Sequence, residues 1–418
     1  MVNQEMSRRT LLKGGGAAVA GLSALQVAGP AHAFPGGPGE VVIPWLDQPA
    51  PVPPNLDLPQ LVWEELDSFL TPVRDFFVVS HFGNQTVPEA GYRLSIGGLV
   101  AKPLTLTLEE LKRRPRREVT FTLECSGNTG LPFFIGGIGN ARWAGARLAP
   151  LLDRAGVLEQ GTEVVFYGAD SGQVTIRDNS GVLGGGRTGH VADDGAGGLD
   201  LTITEQFARS MSLEEALSDD NLLCYEMNGA PLPTKHGFPV RLIAPGWYGV
   251  ANVKWLTRIE VMDQRYASRF MARDYVTIRE QTRDGQTVWT FNTVKHDRLK
   301  SAPAKVTRRR GRYSIMGAAW GAPIAEVEVQ IDDGPWMTAE LDERRPRNGD
   351  SRNRGGFAWR FWTLHWGKPA AGEHTVRSRA FDVDGNVQPA PDDPYLASKV
   401  TYWESNGQIA RRVRIPPS

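Results

Sequence analysis

The residue best suited to chemistry is Cys125, the first residue after a predicted β-strand. Val119, Phe121 and Leu123 are apolar at every second position, which predicts a strand. The Ser-Gly-Asn residues at 126–128 favour a tight turn, so we expect Cys125 to lie where the strand stops. A thiolate held at a strand end suits a soft or thiophilic metal ion, because sulfur donors select such ions.

A second group of potential ligands follows between residues 222 and 260. His236, Arg241 and Lys254 lie in segments rich in Gly and Pro, which predict loops between strands. Imidazole and cationic donors on such loops are the groups needed to hold a phosphate and the polar edge of a heterocycle. Each residue alone also fits a loop hydrogen-bonder or a surface charge, so their spacing leaves both interpretations open.

The two cysteines, Cys125 and Cys224, allow a different interpretation of the first group. An even number of cysteines in an exported chain is typical of a disulfide. From the residues alone, a disulfide and a metal-bound Cys125 therefore remain alternatives. A zinc site is disfavoured, because the Cys and His spacings match no zinc motif and the histidines are scattered.

The elements that must position these residues are short strands and helices in a loop-rich chain, as the 46 Gly and 29 Pro residues indicate. A helix is predicted over Leu106–Arg113, with Thr107 as its N-cap and Glu110 three residues later. The other predicted elements are strands over Asp75–His81, Tyr92–Leu99, Glu163–Tyr167 and Leu222–Glu226, a helix over Gly145–Ala155 that Gly156 stops, and a hairpin turn at Asn228 and Gly229. Glycine-rich residues 178–200 predict an inserted loop, either a lid near the site or a solvated segment.

The pattern changes from about residue 281 to short alternating strands separated by turns. The predicted strands there are Arg312–Ala319, Ile324–Asp332, Phe357–Trp362 and His374–Phe381. Strands of this length and spacing are typical of an immunoglobulin-like sandwich.

The N-terminal residues have the features of an export signal. Arg8 and Arg9 precede a Leu-Leu pair, and a Gly/Ala/Leu stretch ends in a small-residue cleavage site at Ala33. Residues 1–33 thus predict a twin-arginine signal peptide and a periplasmic or extracytoplasmic location. A membrane anchor is the alternative, but the stretch is short and ends at Pro30. Residues 34–60 predict an extended, proline-rich arm. The balance of 47 basic and 47 acidic residues gives no case for a nucleic-acid or membrane-surface partner.

Five ordered motifs carry a resemblance to a known family. They are Leu-Glu-Cys-Ser-Gly-Asn at 123–128, Gly-Asn-Ala-Arg-Trp-Ala-Gly-Ala-Arg-Leu at 139–148, Tyr-Glu-Met-Asn-Gly at 225–229, His-Gly-Phe-Pro-Val-Arg at 236–241 and Val-Lys-Trp-Leu at 253–256. Together they resemble the sulfite oxidase family of molybdenum enzymes over most of residues 70–403. The resemblance implies an α+β fold, in which a mixed α/β molybdopterin-binding domain over 61–280 precedes an all-β immunoglobulin-like dimerisation domain over 281–418.

The resemblance also implies a molybdenum–molybdopterin cofactor and assigns residues to it. Cys125 would be the only protein ligand of molybdenum. Tyr275 would be the active-site tyrosine beside the metal, and Trp143 would line the substrate pocket. The residues that would contact the molybdopterin are His81, Ser210, His236, Arg241 and Lys254.

The chain departs from the family at the three arginines that usually surround the substrate anion. Val79, Gly130 and Asn406 stand in their places. A doubly charged sulfite would lack its usual neutralising partners there, unless other cations such as Arg142 or Lys235 replace them. The sulfane dehydrogenase subunit of thiosulfate oxidation also departs from the arginine pattern, so the chain resembles that branch as well.

The activity implied by the resemblance is oxygen-atom transfer that oxidises sulfite or a related sulfur compound. The sequence has no Cys-x-x-Cys-His haem motif, so we expect no haem in this chain and an external electron acceptor such as a c-type cytochrome. A homodimer is also implied. The alternatives are a sulfane dehydrogenase-like subunit, a molybdenum-dependent reductase of sulfoxides, and a non-catalytic binding subunit.

Overall fold

The structure is a computed structural model that describes residues 39–177, 200–342 and 356–417. The predicted signal peptide at 1–33 and all but the last residue of the predicted insertion at 178–200 lie outside the described residues. Among the described residues, no helix has the length and apolar character needed to cross a bilayer.

The described chain is built mainly of strands. In chain order these are β1 (Val41–Ile43), β2 (Leu94–Gly98), β3 (Leu104–Leu106), β4 (Arg116–Glu124), β5 (Ile138–Arg147), β6 (Glu163–Arg177), β7 (Asp200–Ser212), β8 (Leu222–Met227), β9 (Ala230–Pro231), β10 (Arg241–Ile243), β11 (Leu256–Met262), β12 (Val276–Arg283), β13 (Gln286–Thr293), β14 (Lys300–Arg309), β15 (Arg312–Trp320), β16 (Ile324–Ile331), β17 (Met337–Thr338), β18 (Glu340–Leu341), β19 (Arg360–Gly367), β20 (Gly372–Asp382) and β21 (Ile409–Ile415).

The helices are short. They are α1 (Leu108–Lys112), α2 (Ala149–Ala155), α3 (Leu213–Ala216), α4 (Arg269–Ala272) and α5 (Pro394–Ala397), with 3₁₀ turns at Trp63–Glu65, Val73–Asp75, Thr234–His236 and Gly249–Ala251. The predicted cap of α1 is confirmed, since Thr107 and Glu110 form a reciprocal capping box; such a cap contributes about 1 kcal/mol. The predicted end of α2 is also confirmed, because Gly156 closes it in the left-handed conformation at φ 68°. The helix begins later than predicted, because residues 145–147 continue β5.

Two sheets form the N-terminal part. The first has the order β3-β2-β11-β6-β7, in which β11 runs parallel to β2. The second has the order β10-β8-β5-β4, with β9 paired to β8. The predicted α+β fold is confirmed, and the helices of the first domain amount to one or two turns each.

The strand predicted over Asp75–His81 does not form. Val78 donates its backbone N–H to the carbonyl of Pro59 at 3.2 Å, and residues 77–80 are extended without a ladder partner. Phe76 and Phe77 are buried nonetheless, so the apolar run that favoured a strand reflects burial of a loop. This loop forms one wall of the cavity described below.

The C-terminal part is a sandwich of two sheets, ordered β1-β14-β15-β19-β18 and β17-β16-β20-β21. Alternate residues of both sheets meet in one core, among them Val306 and Ile315 from the first and Val327 and Val329 from the second. The N-terminal arm contributes β1 to this sandwich, and Trp45 lies 2% exposed in its core. The predicted arm therefore packs as part of the C-terminal domain, with a strand in its sheet and a side chain in its core.

The two parts share a buried interface. Trp63, Ile138, Trp320 and Trp359 belong to one apolar cluster that draws on both. The hairpin β12–β13 lies between the two parts in sequence, and the boundary predicted at residue 281 falls inside it. The interface between the two parts is therefore built largely from buried aromatic side chains.

Candidate functional site: a cavity around Cys125

One cavity gathers most of the residues that the sequence singled out. Its empty volume, including the open mouth, is about 630 Å³. Loop 76–81, the end of β4, and loops between 235 and 255 form its walls, and Tyr275 closes one side. The residues of the predicted site that line it are His81, Cys125, His236, Arg241, Lys254 and Tyr275.

Cys125 lies immediately after β4, as predicted. Its backbone N–H donates to the carbonyl of Gly137 at 2.8 Å, and its carbonyl accepts from the N–H of Asn128 at 2.9 Å. The side chain is 7% exposed, and burial raises the pKa of the thiol to about 11. An empty pocket therefore holds a protonated thiol, and a bound cation is needed to favour the thiolate.

The disulfide alternative is wrong. Cys125 and Cys224 are both free and buried. Cys224 lies in β8, which pairs with β5, and β5 in turn separates it from β4. Its sulfur is directed at the carbonyl of Glu226, 3.1 Å away.

Arg241 and Lys254 place two cations in the cavity wall. Arg241 donates to the carbonyls of His236 and Asn252 at 3.0 and 2.8 Å, and its Nε has no partner. The ammonium of Lys254 donates to Ser80 Oγ at 2.8 Å and to the carbonyl of Lys235 at 3.1 Å.

The charges of these two cations are only partly balanced. Asp170, a carboxyl group in the same wall, favours the charged form of Lys254, but burial raises its own pKa to about 6. Burial, together with the neighbouring charge of Arg241, lowers the pKa of Lys254 to about 7. Two buried cations that share one carboxyl group are costly, so the cavity is prepared for an anion.

The two histidines of the cavity are neutral. Burial and the nearby cations lower the pKa of His236 to about 3 and that of His81 to about 4. His236 ends a 3₁₀ turn, and its ring meets the edge of Phe76 at 5.6 Å. Neutral imidazoles present one donor and one acceptor, which suits the polar edge of a heterocycle.

Tyr275 lies beside His81. Its hydroxyl oxygen is 2.6 Å from Nε2 of His81, and burial holds the pKa of the phenol well above its ordinary value. The ring of Tyr275 stacks on Trp403 at 4.3 Å, and Trp403 contacts Tyr402 at 4.1 Å. A row of aromatic rings thus extends from the cavity wall to Tyr402, which is 41% exposed.

Two predicted site residues lie elsewhere. Ser210 donates to Glu163 Oε1 at 2.5 Å and is absent from the cavity wall. Side chains alternate along β7, so Phe207 faces the cavity side and Ser210 the opposite face. Trp143 is fully buried and lies under Arg241, with 5.1 Å between the guanidinium and the ring. It supports the cavity wall from behind, one layer below the position expected for a residue that contacts substrate.

The positions of the three missing arginines have different surroundings. Val79 lies in the cavity wall. Asn406 is buried, and its Oδ1 has no partner. Gly130 packs directly against the chain, because a Cβ there would lie 2.1 Å from the carbonyl oxygen of Tyr402. No larger side chain fits at Gly130 without displacing the segment that carries Tyr402 and Trp403.

Sequence reasoning missed several residues of the wall, among them Phe207, Asp170 and Asn252. Phe207 could have been found from the alternation along its strand, which puts it on the face opposite Ser210. Asn252 fixes the loop, since its amide contacts Ala244, Trp247 and Tyr248. No sequence signal marks Asp170, whose carboxyl lies in the wall with a pKa raised by burial to about 6.

The donor set of the cavity favours a ligand that brings most of its own metal donors. Within the described ranges, no three His, Cys, Asp or Glu side chains come together in a group that could hold a metal ion. A single soft sulfur, two cations and two neutral imidazoles instead fit an anionic, heterocyclic group that carries a thiophilic metal.

Comparisons with known proteins agree with this description. The family model "Oxidoreductase molybdopterin binding domain" matches residues 81–270, and "Mo-co oxidoreductase dimerisation domain" matches residues 285–403. Mitochondrial sulfite oxidase of Homo sapiens is 34% identical over 359 residues, covering 79% of this chain and 59% of its own length. Sulfite oxidase of Gallus gallus is 33% identical, covering 77% of this chain and 69% of its own length.

A solved structure is similar over nearly the whole chain. The crystal structure of the sulfane dehydrogenase SoxCD from Paracoccus pantotrophus has a TM-score of 0.68 and 26% sequence identity. The match covers 91% of this chain and 90% of that chain. By contrast, the chain spans 56–59% of the length of the mitochondrial sulfite oxidases of human and Drosophila melanogaster.

Proposed function

Because the chain belongs to the sulfite oxidase family of molybdopterin-binding oxidoreductases, we propose that it is a molybdenum-dependent enzyme that oxidises a small sulfur compound by oxygen-atom transfer. The observation that carries the proposal is Cys125, a free cysteine in the wall of a cavity that also contains Arg241 and Lys254. A molybdopterin-bound molybdenum would supply the oxygen-atom transfer and accept the electrons.

The residues of the cavity fit this cofactor. Cys125 would ligate the metal through its sulfur, the soft donor of the cavity wall, and the cofactor would supply most of the other donors, since the described residues form no group of three metal ligands. Arg241, whose Nε lacks a partner, and Lys254 would neutralise the phosphate of the pterin. His236 and His81, both neutral, would meet its polar ring edge.

Tyr275 would contact the reacting oxygen. Its phenol stays protonated across the physiological range and can donate a hydrogen bond. In the described geometry the partner is Nε2 of His81. A substrate oxygen that enters the cavity can replace His81 as the acceptor of this hydrogen bond. The Tyr275 hydroxyl then serves as the donor to the substrate oxygen.

Sulfite is the substrate that the similarity to sulfite oxidases favours, and sulfane sulfur is the second candidate, which the features of the site favour. The likeness to a sulfane dehydrogenase structure and the replaced arginines favour a substrate with less charge. Tyr402 and Trp403 lie against Gly127, within 3.4 Å of an added Cβ, so aromatic rings cover the cysteine loop on this side. Aromatic rings beside the cysteine loop favour polarizable sulfur over a desolvated dianion.

Several features outside the cavity belong to the same proposal. Electrons would leave to an external carrier such as a c-type cytochrome. The dimerisation-domain match over 285–403 supports a homodimer. Residues 1–33 support export by the twin-arginine route to the periplasm. Recovery of the processed chain from the periplasm, and its loss when Arg8 and Arg9 are both replaced by Lys, would test the export step.

The activity is tested with the full chain purified from a host that makes molybdopterin. Sulfite, a sulfane compound and a sulfoxide are assayed separately, with cytochrome c or a reduced dye as the redox partner. Reduction of cytochrome c that depends on sulfite or sulfane supports the proposal and selects the substrate. Sulfoxide reduction alone, or molybdenum-free protein from such a host, would overturn it.

A further inference from the structure

The residue before the cysteine, Glu124, is a buried carboxylate whose two oxygens both accept hydrogen bonds. It is 0% exposed at the end of β4. Its Oε1 accepts from Lys300 Nζ at 2.5 Å and from Asn128 Nδ2 at 2.9 Å, and its Oε2 accepts from Trp320 Nε1 at 2.9 Å. Neither the proposed cofactor contacts nor the substrate side uses this group.

Two of the three donors come from the C-terminal sandwich. Lys300 begins β14 and Trp320 ends β15, and the two residues are directly paired across the ladder. The ammonium of Lys300 is 1% exposed, so both members of the ion pair are withdrawn from water. The paired residues Lys300 and Trp320 of the sandwich therefore both hydrogen-bond to Glu124, the residue next to Cys125.

The third donor connects Glu124 to the cysteine loop itself. Asn128 uses its amide nitrogen on Glu124 and its amide oxygen to accept from the N–H of Gly137 at 2.9 Å. Gly137 in turn accepts from the N–H of Cys125, and Asn128 donates to the carbonyl of Cys125. The backbone N–H and carbonyl of Cys125 thus belong to a hydrogen-bonded loop, and Asn128 anchors this loop to the Glu124 carboxylate.

A buried ion pair is weak as a source of stability, because desolvation offsets most of its attraction, and an apolar pair of similar volume serves equally well. Its specific effect is to fix geometry and local charge. Groups just outside a metal's ligands orient those ligands and tune the metal.

We infer that Lys300 and Trp320 act through Glu124 as positioning residues for Cys125, so that the C-terminal sandwich helps to set the geometry and charge at the metal ligand. This inference rests on the proposed function, since it takes Cys125 as the ligand. It assigns the sandwich a role in the site in addition to dimerisation. Lys300 neutralises a carboxylate adjacent to the metal-bound sulfur, and Trp320 fixes that carboxylate's orientation.

The test compares Lys300→Met with Arg379→Met in the purified holoprotein. Arg379 forms a less buried ion pair with Glu328 in the same sandwich, far along the chain from the cysteine loop. Lys300→Met leaves an unpaired negative charge beside the ligand, which stabilises the more oxidised metal. We expect the molybdenum reduction potential, measured by titration of its electron paramagnetic resonance signal, to become more negative in Lys300→Met alone.

Two further variants keep the test decisive. Glu124→Gln combined with Lys300→Met removes both charges and leaves one acceptor oxygen, for either Trp320 or Asn128, so the charge effect on the potential should be lost and the potential should return toward the wild-type value. Trp320→Phe removes one hydrogen-bond donor to Glu124 and no charge. It should alter the electron paramagnetic resonance signal of molybdenum even if Lys300→Met fails to fold. In cofactor-free protein, hydrogen exchange at residues 125–137 should accelerate in Lys300→Met and Trp320→Phe and stay unchanged in Arg379→Met.

The inference is overturned if the Lys300 and Trp320 variants lose thermal stability while the metal signal, its potential and exchange at 125–137 match those of Arg379→Met. The Glu124–Lys300 ion pair would then only stabilise the contact between the two domains. Wild-type protein that contains no molybdenum, although its host makes molybdopterin, would instead overturn the proposed function. The two failures are therefore separable.

Discussion

The hydroxyl oxygen of Tyr275 lies 2.6 Å from Nε2 of His81, and both groups line the cavity that contains the Cys125 sulfur. His81 is stacked on Phe207 with 4.7 Å between ring centroids, which fixes the plane of the imidazole. Since His81 is neutral and the phenol is protonated, Tyr275 donates the hydrogen bond whenever Nε2 is unprotonated. The orientation of the tyrosine hydroxyl is thus set before any substrate enters.

Removing that hydroxyl should slow turnover more than it weakens binding. In Tyr275→Phe the ring still stacks on Trp403, but the donor is gone, so we expect kcat to fall about 10²-fold. Steady-state kinetics with the preferred sulfur substrate measure this. Tyr402→Phe is the control, because that tyrosine is partly exposed at the end of the aromatic row and should retain near wild-type kcat. Equal losses in the two variants would contradict the role given to Tyr275.

The contribution of Lys254 to cofactor loading should weaken as the pH rises above about 7. Lys254 faces Arg241 and Asp170, and its free-state pKa is lowered to about 7, so it carries its charge fully only below that value. A bound phosphate raises the pKa again, so the part of the affinity that Lys254 contributes falls up to roughly tenfold per pH unit between the two pKa values. Loss of the Cys125 proton on metal binding has the opposite pH dependence, so the contribution of Lys254 is obtained from the difference between wild-type protein and a Lys254 variant.

Molybdenum retained after loading cofactor-free protein across a pH series measures this effect. Lys254→Arg keeps a permanent charge, so the ratio of wild-type to Lys254→Arg loading should fall as the pH rises above about 7, and Lys254→Met should load weakly at every pH. A ratio that stays constant across the pH series would show that Lys254 does not contact the anionic group.

Gly130 should tolerate no side chain. The added Cβ of Gly130→Ala would meet the carbonyl oxygen of Tyr402 at 2.1 Å, and overpacking of this kind costs about 1–3 kcal/mol in the free energy of unfolding. Denaturant unfolding measures the change. Gly97→Ala is the matched control, because nothing lies within 4 Å of its added Cβ and its φ is not positive. Equal stability of the two variants would mean that the 402–403 segment lies elsewhere in solution.

A cation returned to the cavity wall should favour sulfite. Val79→Arg places a guanidinium at a position that lines the cavity, and a charge-assisted hydrogen bond should lower KM for sulfite about tenfold. Val79→Met fills a similar volume without charge and should leave KM for sulfite near the wild-type value. If both variants change KM alike, the substrate anion does not approach residue 79.

The sequence was informative where local rules decide the structure. The end of β4 at Cys125, the capping box of Thr107 and Glu110, and the hairpin at Asn228 with Gly229 all depend on neighbouring residues, and all were predicted correctly. Helices of one or two turns in the first domain were less predictable, because their stability comes from tertiary packing.

The sequence was less informative where the register between distant strands decides. Ser210 was assigned by its position in a motif, but the pairing of β7 with β6 turns it away from the cavity and brings Phe207 in. Trp143 lies behind the wall because β5 is buried on both faces. The contact between Glu124 and Lys300 joins residues that are 176 positions apart, and no local pattern could indicate it.

The most direct test of the account concerns the sulfur of Cys125. X-ray absorption at the molybdenum edge counts the sulfur atoms bound to the metal in wild-type, Cys125→Ser and Cys224→Ser holoprotein. The account predicts that Cys125→Ser loses one sulfur neighbour together with activity, whereas Cys224→Ser, buried behind β5, keeps the wild-type coordination. An unchanged sulfur count in Cys125→Ser, or a loss in Cys224→Ser, would contradict the assignment of Cys125 as the metal ligand.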